Sequence, residues 1–318
     1  MDVDINDPVF INYLFNPIHV VYSTLIFFIN VLLLYVIIHI LKLQTTELKL
    51  ILFLSINEIV LCIDQLVIAI TKLSYGYHSF DADTLSCQVH GFLISWMFRY
   101  EVILVAILAL SRYFLIVHKI ELSMLLCSSL AILFICIFTA ICLYAELVGG
   151  ARPIPSYIYC YLFLTPGLAS YVINIVITIL NIIPCWITTF CYFSVGWKVN
   201  KQLNLIKIQE QTNGNLEALQ IIKKQKLKLI IQLTMVFFIY NVPFMFSYIT
   251  YILKLATGYK RPPFFDAVIA NLVHFSTSIN PVVAISFQPD INIELHLIWV
   301  KFQAKVKNFW GRLLNSQW

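Results

Sequence analysis

Seven stretches of apolar side chain, at residues 20–42, 49–71, 87–118, 123–146, 168–198, 226–253 and 264–287, leave this chain few choices of fold. Each exceeds the roughly 20 residues that a helix needs to cross the hydrocarbon of a bilayer. A helix pairs its own backbone polar groups where no water can, whereas barrel strands would show alternating segments of about ten residues. The expected fold is therefore an all-α membrane protein, a bundle of seven transmembrane helices. Composition agrees: of 318 residues 60% are hydrophobic and 12% charged, too little polar surface to cover a water-soluble globule. A soluble α/β enzyme, a secreted disulfide scaffold and a disordered regulator are all disfavoured on that ground.

Basic residues set the direction, because short loops rich in lysine and arginine stay on the cytoplasmic side. Seven crossings put Lys42, Lys49, Lys119, Lys198, Lys201, Lys207, Lys223, Lys224, Lys226, Lys228, Lys301, Lys305, Lys307 and Arg312 on one face. Only Lys72, Arg152, Lys254, Lys260 and Arg261 fall on the other. The expectation is a plasma-membrane protein with an extracellular N-terminus (1–19, carrying Asp2, Asp4 and Asp7), a bundle (20–287) and a cytoplasmic amphipathic helix and tail (288–318). No basic region precedes the first apolar run, so the first span is expected to direct insertion without a cleaved signal. The net charge of +5 suits acidic lipid headgroups better than nucleic acid. The connection from Val148 to Thr165 is longer than those before it, and the one from Lys198 to Lys226 is the longest and most polar.

Of eight cysteines, Cys62, Cys127, Cys136, Cys142, Cys185 and Cys191 fall inside spans, where thiols act as small hydrophobes. Cys87 and Cys160 fall at outer ends, where an oxidising exterior favours a bond between them over two free thiols.

Several residues recur at telling intervals. Cys87 stands 25 residues before Arg112 in Ser111-Arg112-Tyr113, and Pro184 eight before Tyr192. Phe237 and Pro243 lie in the sixth span, Asn280-Pro281 in the seventh, Asn30 in the first, and Leu54-Ser55-Ile56-Asn57-Glu58 in the second. In this order and spacing the chain resembles the rhodopsin-like (class A) G-protein-coupled receptors over nearly its whole length. That resemblance implies a receptor that passes an extracellular signal to a heterotrimeric G protein by helix rearrangement, without chemistry of its own. It implies that Arg112, with Tyr113, Pro184, Tyr192, Phe237, Pro243, Asn280 and Pro281, belongs to the activation switch. Pro184, Pro243 and Pro281 each remove a backbone hydrogen bond inside a span, which suits helices that pivot.

The chain departs from the family in places. Ser111 replaces the acid beside the arginine, and Lys223 stands where some members place a second restraining carboxylate. A cation there repels Arg112, so a loosened resting state with ligand-independent signalling is expected. Ala284 replaces the tyrosine of the N-P-x-x-Y motif, and Tyr240-Asn241-Val242-Pro243 replaces C-W-x-P.

Glu58, Asp64, Arg99 and Glu101 lie within spans, where a central charge costs roughly 2.5–3.5 kcal/mol and must face the interior. By family position Glu58 and Glu101 share a polar core with Asn30, Ser276 and Asn280. Two carboxylates that close require a cation or a shared proton, so either a sodium ion or one proton between them is expected. The alternative is that Glu101 pairs with Arg99 or with a neighbouring helix as structural glue. Arg99 is either a grip for an anionic ligand or an internal counter-ion for Asp64 or Glu101. The resemblance puts Ile94, Phe98, Arg99, Asn241, Phe244, Met245, Tyr248 and His274 around a largely apolar ligand cavity, as small-molecule sites commonly are. Ile94 occupies the place of the aspartate of amine receptors, and His274 that of the retinal-binding lysine, so an amine ligand and a retinal cofactor are not expected.

Lys223, Lys224, Lys226 and Lys228 form a basic stretch that serves topology, lipid contact or, by resemblance, G-protein docking. Beyond Pro289, Ile291, Leu295, Ile298, Trp299, Phe302, Val306 and Phe309 recur at helical spacing opposite Lys301, Lys305 and Arg312, which predicts an amphipathic helix on the inner leaflet. No cysteine follows Cys191 and no N-x-S/T sequon occurs, so tail palmitoylation and N-glycosylation at that signal are not expected. The rival readings are a seven-helix transporter or channel that uses the intramembrane charges, against which stands the lack of an inverted repeat, and a receptor-like protein that couples to no G protein. No nucleophile, metal-ligand or phosphate-loop motif points to an enzyme.

Overall fold

The computed structural model describes residues 4–82, 84–162 and 167–315. Asp2 and the loop limit Thr165 lie outside the described residues, as do the side chains of Ala284, Phe309 and Arg312 on which expectations rested. The chain is built of helices α1 (Pro8–Tyr35), α2 (Thr46–Tyr75), α3 (Leu85–Tyr113), α4 (Met124–Val148), α5 (Leu168–Thr212), α6 (Leu216–Thr257), α7 (Pro263–Ser278), α8 (Asn280–Phe287) and α9 (Pro289–Asn315). Strands β1 (Arg152–Pro153) and β2 (Cys160–Tyr161) pair antiparallel in the loop between α4 and α5.

Polar side chains accept from the first free N–H groups and start the helices where they do. Asp7, Thr45, Thr84, Ser123 and Asn215 cap α1, α2, α3, α4 and α6. Helices α1 to α6 are each long and apolar enough to cross a membrane. The seventh crossing is made in two pieces, α7 of 16 residues and α8 of 8. The interruption falls at Asn280-Pro281, where proline has no N–H to continue the ladder, and Val282 and Val283 both turn back to the carbonyl of Ile279. Pro184 and Pro243 lie inside continuous helices.

Helix α3 is the axis of the bundle: 61% of its most apolar window is buried, against 17–28% for α1, α4, α5 and α6. Around it, Leu104, Ile107 and Leu108 pack on Leu50, Ile51, Leu54, Tyr192 and Val236. The opposite faces of the outer helices present Trp186, Phe190 and Trp197 outward, as a hydrocarbon solvent allows.

Two boundaries differ from the sequence-based expectation. Helix α1 begins at Pro8 rather than near residue 20, because Asn12, Asn16 and His19 are buried against the bundle. The stretch Lys198–Lys226, expected as a polar loop, is the continuation of α5 and α6, which turn at Asn213-Gly214 with Gly214 at φ +71°. Polar composition does not break a helix. Leu203 and Ile222 are buried in this hairpin.

Candidate functional site

Three groups of residues draw together along the axis of α3. At the end that carries Cys87, the disulfide Cys87–Cys160 ties α3 to the β1–β2 loop. Gly91 makes that closeness possible, since a Cβ there would lie 2.3 Å from the Cβ of Ala151. Lys72, at the end of α2, is buried and donates to the carbonyls of Tyr157 and Ile158, both at 2.6 Å. The loop so held pushes Ile158 and Tyr159 into the bundle, where Ile158 packs with Ile94, Ile11 and Ala267.

Tyr159 lies between histidines from three helices. Its ring stacks on His274 at 4.5 Å and on His19 at 5.4 Å, with His90 at 5.8 Å. Burial pushes its hydroxyl well above the ordinary tyrosine range, so it stays neutral. His274 is hydrogen-bonded to Gln65, and His90 Nδ1 lies 2.8 Å from Asp64 Oδ2. Below this layer Phe98, Phe244 and Tyr248 form an aromatic run, with Phe98 also facing His274 at 6.1 Å. Ile94, Phe98, Phe244, Tyr248 and His274 thus lie around Tyr159 and the aromatic run below it.

The other cavity expectations fare differently. Met245 is 52% exposed on the outer surface of α6, so it does not line the cavity. Asn241 donates to Thr189 Oγ1 at 2.9 Å and ties α6 to α5. The guanidinium of Arg99 donates to the Ser95 carbonyl and to Tyr161 Oη, the latter at 2.5 Å, and lies over the Tyr161 ring. Asp64, offered as its counter-ion, pairs with His90 instead.

Midway along the axis the carboxyl groups of Glu58 (α2) and Glu101 (α3) are fully buried and within hydrogen-bond reach of each other. Asn280 Nδ2 donates to Glu101, and the hydroxyl of Tyr240 donates to Asn280 Oδ1. Ser276 does not join this group, because its hydroxyl bonds the carbonyl of Ile239. Asn30 is buried, its amide donating to the Ile26 carbonyl within α1 at 3.1 Å. One oxygen of each acid, Glu58 Oε1 and Glu101 Oε2, is buried and has no hydrogen-bond partner among the described residues.

At the far end of α3, Arg112 is buried and held from two sides. Its Nε donates to Glu47 at the start of α2 in a salt bridge, and its Nη1 donates to Tyr192 Oη of α5 at 2.8 Å. Although Ser111 replaces the neighbouring acid, Arg112 does have an ion-pair partner, Glu47 at the start of α2. Tyr113 turns away from Arg112 to Phe190 and His118. Phe237 is 40% exposed and packs edge-on against Phe193 rather than toward the core. Pro184, Pro243 and Pro281 are all buried.

Glu47, Tyr240, Thr189, Lys72 and Tyr159 escaped the sequence reading. Glu47 is an acid in the first turn of a helix, where the macrodipole alone explains it. Tyr240 carried a signal, a hydroxyl in the middle of an apolar span. Tyr159 beside Cys160 carried another, since a loop tied by that cysteine is drawn to the bundle.

The sequence profile of the family described as "7 transmembrane receptor (rhodopsin family)" matches residues 29–283. No curated protein matches the chain by sequence. Among solved structures, the crystal structure of squid rhodopsin is 15% identical and superposes with a TM-score of 0.63, covering 94% of this chain and 88% of that one. At that identity the likeness is one of fold.

Proposed function

The chain belongs to the rhodopsin family of seven-transmembrane receptors, and on that footing we propose that it couples an extracellular ligand to a heterotrimeric G protein. The observation that carries this reading is the burial of Arg112 between Glu47 and Tyr192. A guanidinium so held is withheld from any partner at the basic end of the bundle, and parting α2, α3 and α5 releases it. In this reading the N-terminus is extracellular, the basic end faces the cytoplasm and the protein resides in the plasma membrane. No step requires the protein to make or break a covalent bond.

The ligand is a small, mainly apolar molecule that enters at the disulfide end. It competes with Tyr159 for the rings of His274 and Phe98, because loop residues fill that space. Displacing Tyr159 disturbs α1, α3 and α7 together, which is how occupancy reaches Asn280 and the carboxylates below. Retinal has no lysine in the seventh crossing to bind.

The Glu58–Glu101 pair holds one shared proton. A sodium ion would need several oxygen ligands, but Asn280 Oδ1 already accepts from Tyr240 and the Ser276 hydroxyl is engaged elsewhere. One proton between the carboxyl groups gives their unpartnered oxygens a hydrogen bond.

Nucleotide exchange on a panel of purified G-protein heterotrimers tests the proposal without a known ligand. Glu47→Gln should accelerate exchange on at least one heterotrimer, and adding Arg112→Ala should abolish that gain. If no heterotrimer responds to Glu47→Gln, the chain is a receptor-shaped protein that acts through other partners.

A further inference from the structure

At the basic end of the bundle, a cleft of about 370 Å³ opens on the flank of α6, walled on its other side by Ser286 of α8 and Asn292 of α9. We propose that it binds an acidic phospholipid, with the phosphate at Lys224 and Lys228 and an acyl chain along Leu227, Ile231 and Met235. The inference concerns a site separate from the ligand cavity and from Arg112, and it holds whether or not a G protein couples.

The lining residues of α6 recur at intervals of three and four, so they share one face. Their order along the axis grades from charge to apolar side chain. Lys224 and Lys228, with Leu227 between them, stand toward the basic end, and Ile231 and Met235 continue toward the apolar middle, the whole face from Lys224 to Met235 spanning about 16 Å at 1.5 Å per residue. Gln232 donates to the Ser286 carbonyl at 2.6 Å and closes the floor between α6 and α8. No acidic side chain is among the described lining residues, so the cleft complements a negative headgroup.

The occupant is lipid because of what surrounds the cleft. Leu227, Ile230 and Ile231 are each more than half exposed, as are Ile293, Trp299 and Phe302 of the amphipathic α9. Large apolar side chains exposed on a membrane helix and on its interfacial neighbour face acyl chains. A soluble phosphate would meet the two lysines and leave the apolar length empty. A soluble protein would have to push Leu227 and Ile231 out of contact with the bilayer.

The test uses the full chain in phosphatidylcholine nanodiscs, titrated with nitroxide-labelled phosphatidylinositol phosphate, the immobilised fraction being read by electron paramagnetic resonance. The intact chain should immobilise this lipid in preference to labelled phosphatidylcholine. The double variant Lys224→Gln, Lys228→Gln should weaken it at least tenfold. Ile231→Trp, which fills the apolar length and leaves both charges, should do the same. Lys301→Gln with Lys305→Gln, which removes equal charge elsewhere on the face, should change it less than twofold. Melting temperatures within a few degrees of the intact chain confirm that the variants fold. Equal loss in the α9 control overturns the site in favour of diffuse attraction. Retention in both cleft variants also overturns it. So does competition by free inositol phosphate, or by a purified G-protein heterotrimer, that is lost in Ile231→Trp while the chain shows no preference among lipids.

Discussion

Arg112 cannot leave its place without exposing or abandoning charge, and its two partners contribute unequally to holding it. Breaking a buried ion pair costs roughly 3–5 kcal/mol, less here because the Glu47 side chain keeps 18% of its exposure. The Tyr192 hydroxyl offers a single bond to a charged group, worth about 1.5–3 kcal/mol. Ligand-free nucleotide exchange should therefore rise in the order intact chain, Tyr192→Phe, Glu47→Gln, with the last up roughly tenfold. A larger rise in Tyr192→Phe than in Glu47→Gln would move the restraint from α2 to α5. The carboxylate pair has its own residue-scale prediction. Glu101→Gln supplies an amide proton where the acids share one, so stability should stay within about 1 kcal/mol. Glu101→Ala leaves Asn280 and Glu58 unpaired in the core and should lose roughly 2–4 kcal/mol. Replacing choline by sodium should leave the melting temperature unchanged, and a sodium-dependent rise that Glu58→Gln abolishes would restore a cation to the site.

In the reading proposed above, ligand access depends on the β1–β2 loop. It is fastened by Cys87–Cys160, by Lys72 under the carbonyls of Tyr157 and Ile158, by the close pass of Ala151 over Gly91, and by bonds from Asn12 to the Ser156 carbonyl and from Gln88 to Ala151. Lys72→Met keeps the stem and removes the donors, so hydrogen exchange at the amides of residues 154–159 should quicken at least tenfold while α3 remains protected. Unchanged protection would show that the loop is held without Lys72. Among the helices, α5 and α6 were under-read because Lys198–Lys226 is polar, although Asn213-Gly214-Asn215 spelled a turn and a cap. The two-piece seventh crossing was legible in Asn280-Pro281. That an expected α6 pocket residue, Met245, faces outward was not, because helical phase drifts beyond a few turns when only one face is known.

Across the molecule, the apolar runs made the bundle legible, and the placement of Cys87 and Cys160 at outer ends made their disulfide legible. The ion pair that holds Arg112 was hidden, because Glu47 and Arg112 are 65 residues apart on helices whose relative rotation no single sequence displays. The same holds for Tyr240 and Asn280, joined across α6 and α8. What emerges is a bundle whose central helix is gripped at three levels: by a loop at one end, by a shared acid pair at the middle and by an ion pair at the other end. The central claim is that loosening the last grip lets α6 move and presents Arg112. Spin labels at Lys42 and Lys223, both exposed at the basic end, measure this by electron–electron double resonance. The account predicts one dominant distance in the intact chain and a second, longer population in Glu47→Gln, and a single unchanged distance in both would contradict it.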